Sequence, residues 1–251
     1  MIQGLYAAAS GMIAIEDQQS IIANNIANAS TPGFKRQNCV EEGFYSVFSE
    51  KMRSAASFGQ STSPGGGVRI VGSYADWREG TLATTDDPFS IALTGPGFLT
   101  VQTDNGDRYT RGGRLQIDPE GHLATADGKK VMGAGSAPIT VTGNNFQVDE
   151  DGNVYSDGAN VGRMQLMEFD DPRLLTRDGD GLYATGDSGP QAVEATETSV
   201  HGGMLELSNV QLPYEMAQMI SGIRAYGAYQ KVINTSDESI GRLIDQVAMP
   251  A

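Results

Sequence analysis

The side chains that could do chemistry in this sequence are mainly carboxylates, 31 Asp and Glu against two histidines and one cysteine. Two acidic runs, Asp149-Glu150-Asp151-Gly152-Asn153 and Asp178-Gly179-Asp180-Gly181, superficially resemble calcium loops. Neither has the twelve-residue spacing that ends in a chelating glutamate, so both are expected to be hairpin turns. His122 is expected to decorate a hairpin, and His201 a loop before Gly202-Gly203. Carboxylate pairs for acid–base work, as a cell-wall hydrolase would need, arise by chance among so many acids, and no motif selects one. The sequence has no Gly-x-Ser-x-Gly elbow, His-Glu-x-x-His, Cys-x-x-Cys or Walker-type phosphate loop. Cys39, the single cysteine, forbids an internal disulfide. It reads as an inert thiol, with a dimerising thiol as the alternative. No catalytic residue, cofactor or metal site is expected.

Composition narrows the remaining classes. The 251 residues are 39% hydrophobic and 19% charged, enough for one large or two modest domains with a real core. No stretch reaches 18 apolar residues, so no helix is expected to insert in a membrane. A formal charge of −14 argues against sequence-independent nucleic-acid binding, which depends on Lys and Arg neutralising phosphates. The charge is concentrated in the middle. Residues 1–60 hold five acids and four bases, 203–251 five and three, and 61–202 the other 21 and 10. The first residues carry no positive segment, and Glu16 and Asp17 cut the apolar run short, so a cleaved secretory signal is not expected. Glycine is abundant, 32 residues, which points to many tight turns between short strands.

Two long helices are expected to frame those strands. Over 3–28, Leu5, Ala8, Met12, Ile15, Gln19, Ile22, Ile26 and Ala29 alternate spacings of three and four, a heptad seam. The run Asn28 to Gly33, with Pro32, ends it. From Pro213, a well-placed first-turn proline, the same rhythm runs through Met216, Met219, Ile223, Tyr226, Gln230, Ile233, Asp237, Ile240, Ile244 and Val247. Between them Ile91-Ala92-Leu93, Phe98 to Val101, Leu115-Gln116-Ile117, Ile139-Thr140-Val141 and Phe146-Gln147-Val148 read as strands. A weak internal repeat aligns Leu115 to Leu123 with Phe146 to Val154, each a hairpin with an acidic turn that needs glycine at positive φ. Residues 49–75, rich in Ser and Gly, read as a linker or extended arm. The fold class expected is α+β: terminal helices packed as a discontinuous coiled-coil domain, with an inserted β-rich domain of short antiparallel strands. The segments are 1–35 (helix), 36–80 (arm), 81–202 (β-rich) and 203–251 (helix).

The ends also carry a resemblance. Asn24-Asn25-Ile26-Ala27-Asn28-Ala29-Ser30-Thr31-Pro32-Gly33-Phe34-Lys35-Arg36 and, upstream, Gly4 to Met12 resemble the N-terminal signature of the bacterial flagellar axial proteins of rod and hook. Leu205-Glu206-Leu207-Ser208-Asn209-Val210 and Arg224-Ala225-Tyr226, with Lys231 and Thr235-Ser236-Asp237, resemble that family's C-terminal helix. Ala92 to Phe98 and Tyr109-Thr110-Arg111-Gly112-Gly113 resemble its β-domain motifs. The run Val161 to Pro172 and Gly179 to Tyr183 is closer to the proximal-rod type, with the distal-rod type second. The chain departs from the family pattern at Gly95-Pro96-Gly97-Phe98-Leu99 and at Gly227.

The resemblance implies a mechanical subunit with no catalysis. It would leave by the flagellar type III export apparatus without a cleaved signal, and stack with copies of itself and other rod proteins into a torque-carrying shaft across the periplasm. The assembly interface implied comprises Leu5, Met12, Ile15, Ile22, Asn24, Asn25, Ile26, Asn28, Phe34, Met216, Met219, Ile223, Arg224, Tyr226, Ile233, Ile240 and Ile244. The three asparagines would bond neighbouring backbone there, since polar groups in a packed interface must be satisfied. Before assembly the terminal helices are expected to be mobile, because isolated amphipathic helices gain most of their stability from packing.

Overall fold

The computed structural model describes residues 2–43, 67–143, 145–186 and 189–247, with side chains in the terminal helices described over 4–27 and 212–242. The chain is α+β and divides into two compact units. The helical unit contains 1–27, 37–74 and 211–251, and the β-unit contains 28–36 and 75–210.

In the helical unit the N-terminal helix spans Ile2–Ala27 and the C-terminal helix Leu212–Val247, 26 and 36 residues. At 1.5 Å per residue these are about 39 and 54 Å long. Pairings of Gly11 with Tyr229, Gln19 with Gly222 and Asn25 with Glu215 run in opposite directions, so the helices are antiparallel. Small residues let them approach. A Cβ on Gly11 would lie 2.8 Å from the Tyr229 ring, and one on Gly222 would collide with the Gln19 amide. The fully buried positions on the N-terminal helix are Ala8, Gly11, Ala14, Ile22 and Asn25, a stripe rotated slightly from the heptad seam. Met12, Ile15 and Ile26 are accordingly only half-buried. Strands Gln37–Gly43 and Val68–Ala75 form a two-stranded sheet in this unit. Of the arm read over 49–75, the part up to 66 lies outside the described residues, and its last eight residues are that second strand.

The β-unit is antiparallel throughout. Its largest sheet has nine strands, joined by a three-stranded meander and two two-stranded pairs. Alternate residues of Ile91–Thr94, Phe98–Thr103, Leu115–Ile117 and Phe146–Val148 point into one apolar core with Leu123, Val131, Val154, Leu166 and Val200. Ile139 and Val141 join that core. Their segment, however, makes a single bridge, His122 to Thr140, instead of the strand expected over 139–141. The internal repeat is structural. Leu115–Ile117 pairs with Leu123–Thr125, and Phe146–Val148 with Asn153–Ser156. In both turns an aspartate Oδ1 accepts two backbone N–H groups, from Glu120 and His122 at Asp118, and from Asp151 and Asn153 at Asp149. The following glycines, Gly121 and Gly152, take φ of 87° and 79°, where a side chain would be strained. A second cluster is aromatic. Trp77 sits edge-on to Phe98 at 4.9 Å and to Tyr183 at 4.8 Å, and Phe98 edge-on to Phe169 at 5.5 Å. Burial there pushes the Tyr183 hydroxyl up to about 12.

Candidate functional site

The motifs quoted from the two chain ends build two buried polar centres, one in each unit. In the helical unit the centre is Asn25, 1% exposed near the end of the N-terminal helix. Its Oδ1 accepts from the Gln37 N–H at 2.9 Å. Its Nδ2 donates to the Gln37 carbonyl at 2.9 Å and to Glu215 Oε2 on the C-terminal helix at 3.3 Å. Glu215 is completely buried. One carboxamide thus ties together both helices and the first strand of the unit. One helical stagger along, Gln19 Nε2 donates to the Met219 carbonyl at 3.0 Å.

In the β-unit the centre is ionic. Glu206 Oε1 accepts from Lys35 Nζ at 2.6 Å, and its Oε2 from Arg111 Nε at 3.1 Å. All three residues are at most 3% exposed. Both cations also donate to backbone carbonyls. Lys35 Nζ donates to the Arg78 carbonyl, and Arg111 to the carbonyls of Gly95 and Leu93. Gly80 N–H donates to Glu206 Oε1, and Gly33 N–H to the Glu206 carbonyl. Burial alone would raise the Glu206 carboxyl, but Arg111 and then Lys35 overcome it and hold the group below the usual range. For Lys35 burial is the larger effect, followed by repulsion from Arg111, and the amine is pulled down despite Glu206. Glu79 on the rim adds a second negative charge felt by Lys35. Beside the ionic centre, Asn209 Oδ1 accepts from the Arg36 N–H at 2.7 Å, and its Nδ2 donates to the carbonyls of Asp76 and Arg78. Phe34 lies buried with the Arg177 guanidinium 4.8 Å over its ring. Lys35, Arg111 and Glu206 come from three of the quoted motifs, and Leu93 and Gly95 from the fourth.

The interface residues expected from sequence therefore divide. Ile22, Asn25 and Phe34 are buried within the chain, and Leu5, Met12, Ile15, Ile26, Asn28, Met219, Ile233 and Ile240 are half-buried. Asn24, Met216, Ile223, Arg224 and Tyr226 are exposed, and the side chain of Ile244 lies outside the described residues. Met216, Ile220 and Ile223, each more than half exposed, make an apolar stripe on the C-terminal helix that no described side chain covers. Lys35, Arg111, Glu206, Asn209 and Glu215 were not singled out individually from sequence. A charged residue inside an otherwise apolar or glycine-rich motif was the available signal, since charges are buried only when paired.

His201 stands in the strand Ser199–Gly202, paired with Ala92, instead of the loop expected, and the acidic turns hold local structure. Asp118, Glu120 and His122 are close enough to share an ion, but the Lys130 ammonium already lies 2.5 Å from Glu120. Burial works upward on Asp118, yet the His122 and Glu120 N–H groups bring its carboxyl down. At Asp149, Asn153 has the same effect.

These features define a class: α+β chains whose two ends pair as antiparallel helices, with an antiparallel β-unit between them in sequence. Three family models match segments of this chain. They describe a flagella basal body rod protein over residues 5–35, the flagellar hook protein FlgE/F/G D1 domain over 92–156, and a flagellar basal body rod FlgEFG protein C-terminal region over 201–246. The chain is similar to the flagellar basal-body rod protein FlgF of Caulobacter vibrioides, 35% identical with 95% of each chain covered. It is also similar to the flagellar hook-basal body complex protein FlhO of Bacillus subtilis, 31% identical over 98% of this chain and 99% of the relative. Its identity to the flagellar basal-body rod protein FlgG of Buchnera aphidicola subsp. Schizaphis graminum is 31%, over 97% and 99%. The chain belongs to the flagellar basal-body rod protein family. Among these three relatives the FlgF type has the highest identity.

Proposed function

We propose that this chain is a structural subunit of the bacterial flagellar basal-body rod, assembling helically with copies of itself and with other rod proteins into a shaft that transmits torque for motility. The observation that carries this reading is the outward stripe Met216, Ile220 and Ile223 on a helix ten residues longer than its partner. Contiguous apolar surface exposed on a helix has to be covered by something. In a rod, neighbouring copies supply the cover, and the helices extend into coiled-coil-like packing between subunits. The rod relatives named above support the same reading.

The subunit leaves through the type III export apparatus and takes its place where the rod crosses the periplasm, in the proximal part. The reading needs no enzyme activity. The carboxylates of Glu206, Asp118 and Asp149 are pulled below the usual range by structural hydrogen bonds and ion pairs. The test is complementation of a strain lacking this protein. The full chain restores swimming, and a chain deleted for 212–247 does not, although its β-unit still folds. Swimming restored by the deleted chain would overturn the proposal.

A further inference from the structure

Asn25 does more than fill a place between helices. Three of the four hydrogen-bonding positions of its carboxamide are used, Oδ1 by the Gln37 N–H, one Nδ2 hydrogen by the Gln37 carbonyl and the other by Glu215. Two of these bonds address backbone, and so does the bond from Gln19 to the Met219 carbonyl. A backbone carbonyl is offered by every residue, so such bonds specify no partner side chain, although Gln19 reaches the Met219 carbonyl only where Gly222 leaves room for its amide. The bond from Asn25 to Glu215 joins side chain to side chain, and can be made only in one register. Glu215 and Met216 are adjacent, hence about 100° apart around the helix. With Glu215 held inward and fully buried, Met216 is 53% exposed, Ile220 53% and Ile223 62%. Turning the C-terminal helix to bury Met216 would break the bond and strand the buried Asn25 amide, a penalty larger than the bond's own net worth. Buried single asparagines fix register and partner choice in helix pairs in the same way.

We propose that Asn25 is the register key of the helix pair, and that by holding Glu215 inward it selects Met216, Ile220 and Ile223 as the face offered to a neighbouring copy. The key itself is a property of the chain, whereas the use of the selected face rests on the rod-subunit reading.

Replacing Asn25→Asp keeps the shape and the acceptor toward the Gln37 N–H, but sets a carboxylate oxygen against both the Gln37 carbonyl and the Glu215 carboxylate. Adding Glu215→Gln restores a donor–acceptor pair across the helices. Thermal unfolding of the full-length protein is followed by circular dichroism at 222 nm for the helices and by fluorescence of Trp77, the single tryptophan, for the β-unit. Asn25→Asp lowers the 222 nm midpoint by about 5–10 °C and leaves the Trp77 midpoint in place, and the double variant recovers the part of the loss that belongs to the contact across the helices. A double variant no better than Asn25→Asp, or an Asn25→Asp chain that melts like the parent, overturns the key. Swimming restored to a null strain follows the same order, parent above double above single. Equal swimming by Asn25→Asp and parent overturns the selection of the face. A parent chain that fails to restore swimming sinks the rod reading, while the unfolding result still decides the key.

Discussion

The two units spend their apolar residues differently. The β-unit buries a continuous core from Ile91 to Val200 and a second cluster around Phe98, Phe169 and Tyr183, and only scattered residues such as Leu174 and Val193 stay exposed. Among the described residues of the helical unit the buried apolar side chains are Ala8, Ala14 and Ile22, while Tyr6, Ile13, Val40, Val71, Met216, Ile220 and Ile223 face outward. A helix pair that buries mostly alanine and glycine, and leaves several isoleucines and a methionine more than half exposed, keeps less of its apolar surface for itself than the β-unit does. Among the described residues the helical unit leaves apolar surface open, whereas the β-unit closes over its own core. The same division explains the charge. The middle of the sequence, net −11, lies largely in the closed unit, where acids sit in turns and on the rim. The nearly neutral ends can pack against copies of themselves without accumulating repulsion.

The completeness of the β-unit depends most on its ionic centre, so that is where the contrast breaks with the largest effect. Replacing Glu206→Gln leaves Lys35 and Arg111 buried without an anion, a loss of about 3–5 kcal/mol. Urea unfolding followed by Trp77 fluorescence measures it. The pH dependence has a definite sign. Because the Glu206 carboxyl is held below its ordinary value of 4.5, it contributes stability that is complete above that pH and is lost as pH falls through the folded-state value. The parent β-unit therefore weakens below about pH 4.5, and the Glu206→Gln variant lacks that part of the acid sensitivity. A variant that retains the full acid transition would assign it to other carboxylates. A smaller loss, about 1–3 kcal/mol in the same assay, is expected for Gly113→Ala. There a Cβ would stand 1.6 Å from the carbonyl oxygen of Ile91, whose own N–H is bonded to the Gly113 carbonyl.

The outline of the architecture was legible in the sequence, two terminal helices around short strands, because periodicity reports which face of an element is covered. Both helices, the strands at 91–94, 98–103, 115–117 and 146–148, and the repeated acidic turns follow from spacing and turn chemistry alone. Periodicity cannot report what does the covering. The heptad seam singled out Met216, Ile223 and Tyr226 together with Met219 and Ile233, but the structure places the first three outward and the last two half-inward. A 3.6-residue helix carries two apolar stripes whenever one packs inside the chain and another is left free. The polar centres were less legible still. Lys35, Arg111 and Glu206 are separated by 76 and 95 positions, and only the fold brings them together. Their motifs were recognisable as signatures, yet nothing in the spacing showed that they close on one another inside the β-unit.

The smallest effect on the isolated chain is expected where the effect on assembly is greatest. Ile223 is 62% exposed and Leu174 57%, and the two differ mainly in the unit that carries them. Replacing either by Asp removes little buried area, so each variant unfolds within about 0.5 kcal/mol of the parent. Their consequences for motility diverge. A carboxylate at 223 would have to be desolvated wherever a neighbouring copy covers the stripe, and an unpaired buried charge is not tolerated, so Ile223→Asp fails to restore swimming to a null strain. A carboxylate at 174 joins a rim already rich in acids, in a short turn after Asp170 and Asp171, and Leu174→Asp swims like the parent. If the two variants swim equally well, exposed apolar residues carry the same meaning in both units, and the contrast between a closed unit and an unfinished one fails.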